Sequence, residues 1–270
     1  MKLSKVEMTY FRCFESLNVD LRPDINVIVG ANGAGKSSIL DAIAVGLYEI
    51  VAANGGGGKR QRSVQGAALR PNDIYIDADA KDITSGRKSF VQIRASAVDY
   101  YPVDGFSDKG ATGQAATIEW SQYISYSPPD NFSYDTASSE RLSDIHRYFQ
   151  NIWYEIRASS QSALIPLPAI AYYRAHRRIN GSLELGDVFK SDISRTDAFT
   201  QALDASAKFS SMCQWLYLRE NEELRARVDD REKGVESFRD LSAVRHALGQ
   251  TIEGLKRIYF DGRPPRLMAD

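Results

Sequence analysis

Residues 25–43 read Ile25-Asn26-Val27-Ile28-Val29-Gly30-Ala31-Asn32-Gly33-Ala34-Gly35-Lys36-Ser37-Ser38-Ile39-Leu40-Asp41-Ala42-Ile43, and their reading decides the fold. An apolar run too short for a helix breaks at Gly30 into a glycine-rich turn. From Lys36 onward apolar residues recur at 39, 40, 43, 44 and 47, which is helical spacing. The order is strand, loop, helix. Gly30, Gly35, Lys36 and Ser37 satisfy G-x-x-x-x-G-K-[ST], the phosphate loop, in the context that gives the pattern meaning. Each part has a task. The glycines let backbone N–H groups of residues 33 to 38 converge on phosphate oxygens, and the helix N-terminus adds partial positive charge. Lys36 reaches the β- and γ-phosphates, and the Ser37 hydroxyl ligates Mg2+. The alternative is an ordinary glycine turn before a helix. Average residue usage would produce the four fixed positions in roughly one chain in a hundred of this length, so nucleotide binding is the expectation.

The rest of the composition is that of a globular protein with material for a large core: 270 residues, 43% hydrophobic and 26% charged. Thirty-four basic residues against 35 acidic ones leave a net charge of −1, so any nucleic-acid contact has to come from local patches rather than a general field. Cys13 and Cys213 lie far apart without metal-ligand spacing, as expected of two packed thiols in a reducing cytosol. The N-terminus lacks an apolar leader core, and no run approaches the length of a membrane span. A cytoplasmic chain with no membrane partner is therefore expected.

Before the loop, residues 2 to 29 read as three short strands. Leu3, Val6, Met8, Phe11 and Phe14 give one face, Leu17, Val19 and Leu21 alternate, and Arg22-Pro23-Asp24 turns into the loop strand. Taken together, Tyr10-Phe11-Arg12-Cys13-Phe14, the alternating strand and the run from Asn26 to Ile43 resemble the head domain of SMC/RecF-type ABC ATPases, a branch of the AAA family. That family has a Phe-Arg-x-Phe element followed by a loop of the form G-x-N-G-x-G-K-S-S. The resemblance covers about the first 45 residues. It implies an α/β phosphate-loop NTPase fold with an N-terminal antiparallel β-sheet and a helical lobe, and ATP with Mg2+ as cofactors. It also implies that Asn32 faces the γ-phosphate, that Arg12 approaches the phosphates from the hairpin, and that Gly33, Ala34 and Ser38 complete the cradle.

The first helix should run to about Ala53, where Asn54-Gly55-Gly56-Gly57-Gly58 ends it. Lys59-Arg60-Gln61-Arg62 then makes either a nucleic-acid-contacting loop or a solvated one. Alternation at Ile74, Ile76 and Ala78, at Phe90 to Val98, and at Ile118, Trp120 and Tyr123 predicts an antiparallel meander. A polar, proline-interrupted stretch at 125–138 marks a boundary, giving two regions, 1–138 and 139–270. In the second, helical spacing covers Ser139 to Ser159, Ala205 to Asp230 and Val235 to Ile258, with one strand near 167–173. The basic cluster Tyr172-Tyr173-Arg174-Ala175-His176-Arg177-Arg178 resembles a strand end of RecF-like and OLD-like ATPases. Its arginines either reach phosphate or cap a sheet edge.

Two catalytic parts of the family are missing from the sequence. Leu142-Ser143-Asp144 opens like the signature loop L-S-[GD]-G but continues into Ile145, and no apolar strand ends in Asp-Glu; Asp77 comes too early and lacks the neighbouring Glu. The catalytic residues are thus unassigned. The expectation is an ATP-binding subunit of a DNA-processing or anti-phage defence system, of the OLD-like or Septu branch. It would act as a homodimer, with a possible nuclease partner protein and possible DNA, and be cut before its Walker B and signature motifs. ATPase activity then belongs to the full-length protein and not to this chain alone. The alternative is a non-hydrolysing nucleotide-dependent protein-interaction module. A phosphate-loop kinase explains the loop but not Phe11-Arg12-Cys13-Phe14.

Overall fold

Alternating burial along Val6 and Met8, ending at Phe11, makes β1 (Lys2–Phe11) half of the predicted hairpin, with β2 (Phe14–Asp20) as its antiparallel partner. The computed structural model describes residues 2–54, 68–100, 106–107, 110–111, 116–135, 149–150, 154, 169–173, 199, 202–203, 209–229, 238–261 and 266–270. On its other edge β1 pairs with β3 (Phe90–Tyr100), so the hairpin and the meander are one sheet. After the short pair β4 (Phe106–Ser107) and β5 (Gly110–Ala111), β6 (Ala116–Ser127) and β7 (Asn131–Asp135) complete it. The order is β2-β1-β3-β6-β7, antiparallel throughout.

Helix α1 (Lys36–Asn54) lies on the inner face of this sheet, and the one-turn helix α2 (Ile83–Gly86) precedes β3. Helix α1 carries apolar residues on most of its circumference, as a helix buried on more than one side does. Two side chains of β6 fasten it. Trp120 donates its indole N–H to the Gly46 carbonyl at 2.7 Å, and Gln122 donates its amide to the Val45 carbonyl at 2.7 Å. A β-carbon on Gly46 would stand 3.1 Å from Cβ of Ala95, so glycine is what lets helix and β3 approach this closely. Val6, Met8, Val91, Ile93 and Ile124 fill the space beneath the first half of the helix, and Ala95, Ala97, Ile118 and Trp120 the space beneath the second.

The chain divides into two compact units: residues 1–175 with 195–205, and residues 176–194 with 206–270. In the second, α3 (Phe209–Asp229) and α4 (Arg239–Thr251) pack with a hairpin of β8 (Ile258–Asp261) and β9 (Arg266–Ala269). Glu223, almost fully buried on α3, accepts from the Phe238 N–H at 3.0 Å and from Arg245 at 3.2 Å. Glu220 accepts from Arg245 and from the Phe260 N–H, both at 3.0 Å, tying the hairpin to both helices.

Four local expectations need correction. Among the described residues, 25–29 pair with no strand, because the Asn26 side chain bonds both the N–H and the carbonyl of Arg22 at 2.9 Å and turns the chain off the sheet after Leu21. Ile74 and Ile76 make only isolated bridges, to Phe11 and Arg87. The helix expected over Val235 to Ile258 begins at Arg239 and ends at Thr251, since Gly254 at φ +84° reverses the chain. Leu255 therefore leaves the helix, and Ile258 opens β8, whose partner is β9. Cys213 is buried as expected, but Cys13 is exposed. The Gly55–Arg62 loop, Leu142–Ile145 and Arg174–Arg178 lie outside the described residues, as does most of the helix expected over Ser139 to Ser159. Among the described residues no helix is long and apolar enough to cross a membrane.

Candidate phosphate-binding site

The glycine-rich loop lies open between residues 25–29 and α1, with Gly30 to Ala34 and Ser37 exposed and Gly35, Lys36 and Ser38 half-buried. Gly33 and Gly35 hold φ of +82° and +87°, the left-handed region that only glycine enters without strain. The loop is internally supported at few points. The Ala34 N–H bonds the Ala31 carbonyl at 3.2 Å, and the Ile39 N–H closes the first helical turn on Gly35 at 3.0 Å. The N–H groups of Lys36, Ser37 and Ser38, at the start of α1, lack helical acceptors by the geometry of any helix, and they point where an anion would sit.

Lys36 is folded over this opening. Its Nζ donates to the carbonyls of Gly30 at 2.7 Å and Ala31 at 2.6 Å, so the ammonium stands at the mouth of the loop on two neutral acceptors. A phosphate oxygen is a stronger, charged acceptor and would displace them. Ser37 presents an exposed hydroxyl one residue along, and Asn32 is exposed at the crest.

Arg12 enters from the hairpin turn. Its Nε donates to Asp73 at 2.7 Å, its Nη1 donates to Asp41 on α1, and its guanidinium lies 4.9 Å from the Phe11 ring centroid. Burial alone would lower its pKa. Hydrogen bonds and charge from Asp41 and Asp73 outweigh this and raise it, so the group is a fixed cation. The next two residues, Cys13 and Phe14, touch Gly35. The fold thus brings the hairpin turn against the loop about 20 residues further on.

The sequence marks neither Asp41 nor Asp73 as a site residue, and Tyr172 only as the start of the cluster that runs to Arg178. Tyr172 donates its hydroxyl to Asp41, and Asp73 sits in the 3-10 turn Pro71–Asp73. The available signal for Asp41 is a carboxylate on a mostly apolar helix, which it shares with Glu49; nothing local marks Asp73. Among the described residues no group of three or more His, Cys, Asp and Glu side chains is arranged to hold a metal. The protein donor the loop offers to Mg2+ is the Ser37 hydroxyl, which fits a magnesium ion that takes its other ligands from phosphates and water.

A family model described as AAA domain, AAA_23, matches residues 5–250. The chain belongs to this AAA family. Its described residues form an α/β structure, an antiparallel sheet with helices. The stretches shared with curated relatives are short. A DNA double-strand break repair Rad50 ATPase from Pyrococcus abyssi is 54% identical over 48 residues, 18% of this AAA chain and 6% of that protein. A DNA replication and repair protein RecF from Heliobacterium modesticaldum is 38% identical over 93 residues, 34% of this chain and 23% of that protein. The chain therefore spans less than a quarter of the length of either. A solved structure from work on ATP-driven dimerization and DNA-stimulated activation of SMC ATPases aligns at 19% identity over 63% of this chain and 87% of its own, with a TM-score of 0.31. The SmcHead bound to the C-winged helix domain of ScpA aligns at 17% identity over 70% and 46%, also at 0.31. At that score neither alignment carries weight beside the family match.

Proposed function

We propose that this chain is the nucleotide-binding part of an SMC/Rad50/RecF-type ATPase that works on DNA. Mg-ATP seats on Gly30 to Ser38, with Lys36 on the β- and γ-phosphates, Ser37 on Mg2+, Asn32 toward the γ-phosphate and Arg12 on the phosphates from the hairpin side. The observation that carries this reading is Lys36 resting on two neutral carbonyls at the mouth of an open loop whose Gly33 and Gly35 hold positive φ. The DNA part is supported by the names of the relatives, both DNA repair proteins.

Ile25, Val27 and Val29 support a further part of the reading. They are 79%, 80% and 86% exposed. Burying such side chains is worth about 1.5–3 kcal/mol each, so a strand left this bare is waiting for neighbours. We read it as a core strand completed by the continuation of the same polypeptide, which would also supply the signature loop and an Asp-Glu strand. Dimerisation around nucleotide, a nuclease partner and anti-phage defence belong to the same reading, with other DNA processing as the alternative use. A non-hydrolysing interaction module is favoured only by the missing Asp-Glu strand in this sequence.

Calorimetric titration with Mg-ATP tests the site. The chain should bind, Lys36→Ala should weaken binding about a hundredfold or more without unfolding the protein, and Ser37→Ala should weaken Mg-ATP more than metal-free ATP. Unchanged affinity in Lys36→Ala would move nucleotide elsewhere.

A further inference from the structure

Arg12 is gripped by two carboxylates that the fold buries: Asp41 and Asp73 are 7% and 6% exposed. Each acid is fixed from a second direction. Asp73 also accepts the Arg70 N–H at 2.9 Å, and its carbonyl accepts the Arg12 N–H at 2.7 Å. Asp41 takes the Tyr172 hydroxyl on its other oxygen. Burying ionised carboxylates is costly unless they are paired and hydrogen-bonded, and two of them around one arginine is more than a surface hairpin needs to close. The turn is strained as well. Tyr10 and Arg12 both sit at φ +51°, a region that non-glycine residues enter at a cost and that recurs at functional sites.

The same residues border the phosphate loop. Asp41 lies five residues beyond Lys36 on α1, about 7.5 Å along the helix axis, and Cys13 and Phe14 pack on Gly35. A guanidinium has five N–H donors, and Asp41 and Asp73 use one each of two nitrogens, while the Arg12 side chain remains 31% exposed. We propose that Asp41 and Asp73 are positioning residues for nucleotide binding: they hold Arg12 beside the phosphate loop with donors to spare for a phosphate oxygen. The proposal rests on the phosphate-loop reading above. Capture at two of its nitrogens by two fixed acids removes the orientational freedom that an arginine otherwise loses when it meets its ligand. The rival arrangement is sequestration, in which the acids keep Arg12 from the nucleotide.

A double-mutant cycle in affinity separates the two. Mg-ATP is titrated calorimetrically into the full chain, Arg12→Ala, Asp73→Asn and the double variant, each checked for folding by circular dichroism. Arg12→Ala and Asp73→Asn should each weaken binding about tenfold, and the double variant should bind no worse than Arg12→Ala alone, because Asp73 acts only through Arg12. Asp41→Asn, which keeps the shape and one oxygen acceptor, should repeat the pattern and stands in if Asp73→Asn does not fold. Tighter binding in either asparagine variant, unchanged binding, or losses that add to that of Arg12→Ala would overturn the proposal. Lys36→Ala is the reference for the site itself. If it binds as the parent does, the phosphate-loop reading fails and this proposal with it, whereas a dead Lys36→Ala beside unaffected asparagine variants rejects the positioning role alone.

Discussion

Gly35 and Cys13 are in contact across the phosphate loop: a β-carbon on Gly35 would stand 2.8 Å from the Cys13 sulfur and still closer to the Phe14 ring. At φ +87° the backbone also demands glycine. Gly35→Ala should therefore combine left-handed strain with overpacking against the hairpin and cost about 3 kcal/mol, with loss of ATP affinity as the loop is displaced. Gly33 is the internal control. It has φ +82° but nothing within 4 Å of its hypothetical β-carbon, so Gly33→Ala should cost only about 1–2 kcal/mol. Urea denaturation of the two variants checks the difference.

The isolated chain should bind Mg-ATP and hydrolyse it no faster than background. Phosphoryl transfer needs an oriented water and stabilisation of the developing charge, and a phosphate loop supplies only part of the second. Losing a water-positioning carboxylate and a signature loop should cost about 3 kcal/mol or more each. Phosphate release is measured with Lys36→Ala as the contamination control. Turnover that disappears in that variant would contradict the prediction and direct attention to Asp77.

Trp120 anchors α1 far from its functional end. Its indole N–H bonds the Gly46 carbonyl at 2.7 Å, ten residues past Lys36 and about 15 Å along the helix. Trp120→Phe removes a buried hydrogen bond and leaves unfilled volume, for an expected loss of about 2 kcal/mol. ATP affinity of the folded variant should stay within about twofold of the parent. A denaturation midpoint beside a titration distinguishes loss of fold from loss of site.

Acid should weaken the sheet through Glu7. The Lys5 ammonium donates to it at 2.5 Å and Arg94 at 3.2 Å; the Lys5 hydrogen bond is the main cause that holds its carboxyl below the ordinary glutamate range, against a smaller opposing effect of burial. A carboxylate with a depressed folded-state pKa contributes stability above its unfolded pKa, and that contribution is lost as pH falls through the folded value. The stability difference between the parent and Glu7→Gln should be constant near neutrality and shrink below about pH 4.5. Its size should stay under about 1 kcal/mol, because the pair is partly solvated. Urea titrations at stepped pH measure it, and a difference independent of pH would remove Glu7 from the acid response.

The loop from Gly30 to Ser38 was legible in the sequence because its chemistry is local: glycine positions, a lysine and a hydroxyl at fixed spacing, between an apolar run and a helical pattern. The hairpin and the two strands of the meander were legible for the same reason, since alternation is a property of consecutive residues. Which edges join was not. The pairing of β1 with β3 brings Val6 beside Ala95 across nearly ninety residues, and nothing in either strand names the other. The grip on Arg12 is of that kind. Asp41 is local to the loop helix and Asp73 lies 61 residues from Arg12, and only the sheet that places the Pro71–Asp73 turn behind the hairpin makes them one site. The same asymmetry explains Ile25 to Val29. Their short apolar run states a strand, but a strand forms only where another backbone accepts its hydrogen bonds, and the tertiary structure of the described residues leaves that edge unpaired.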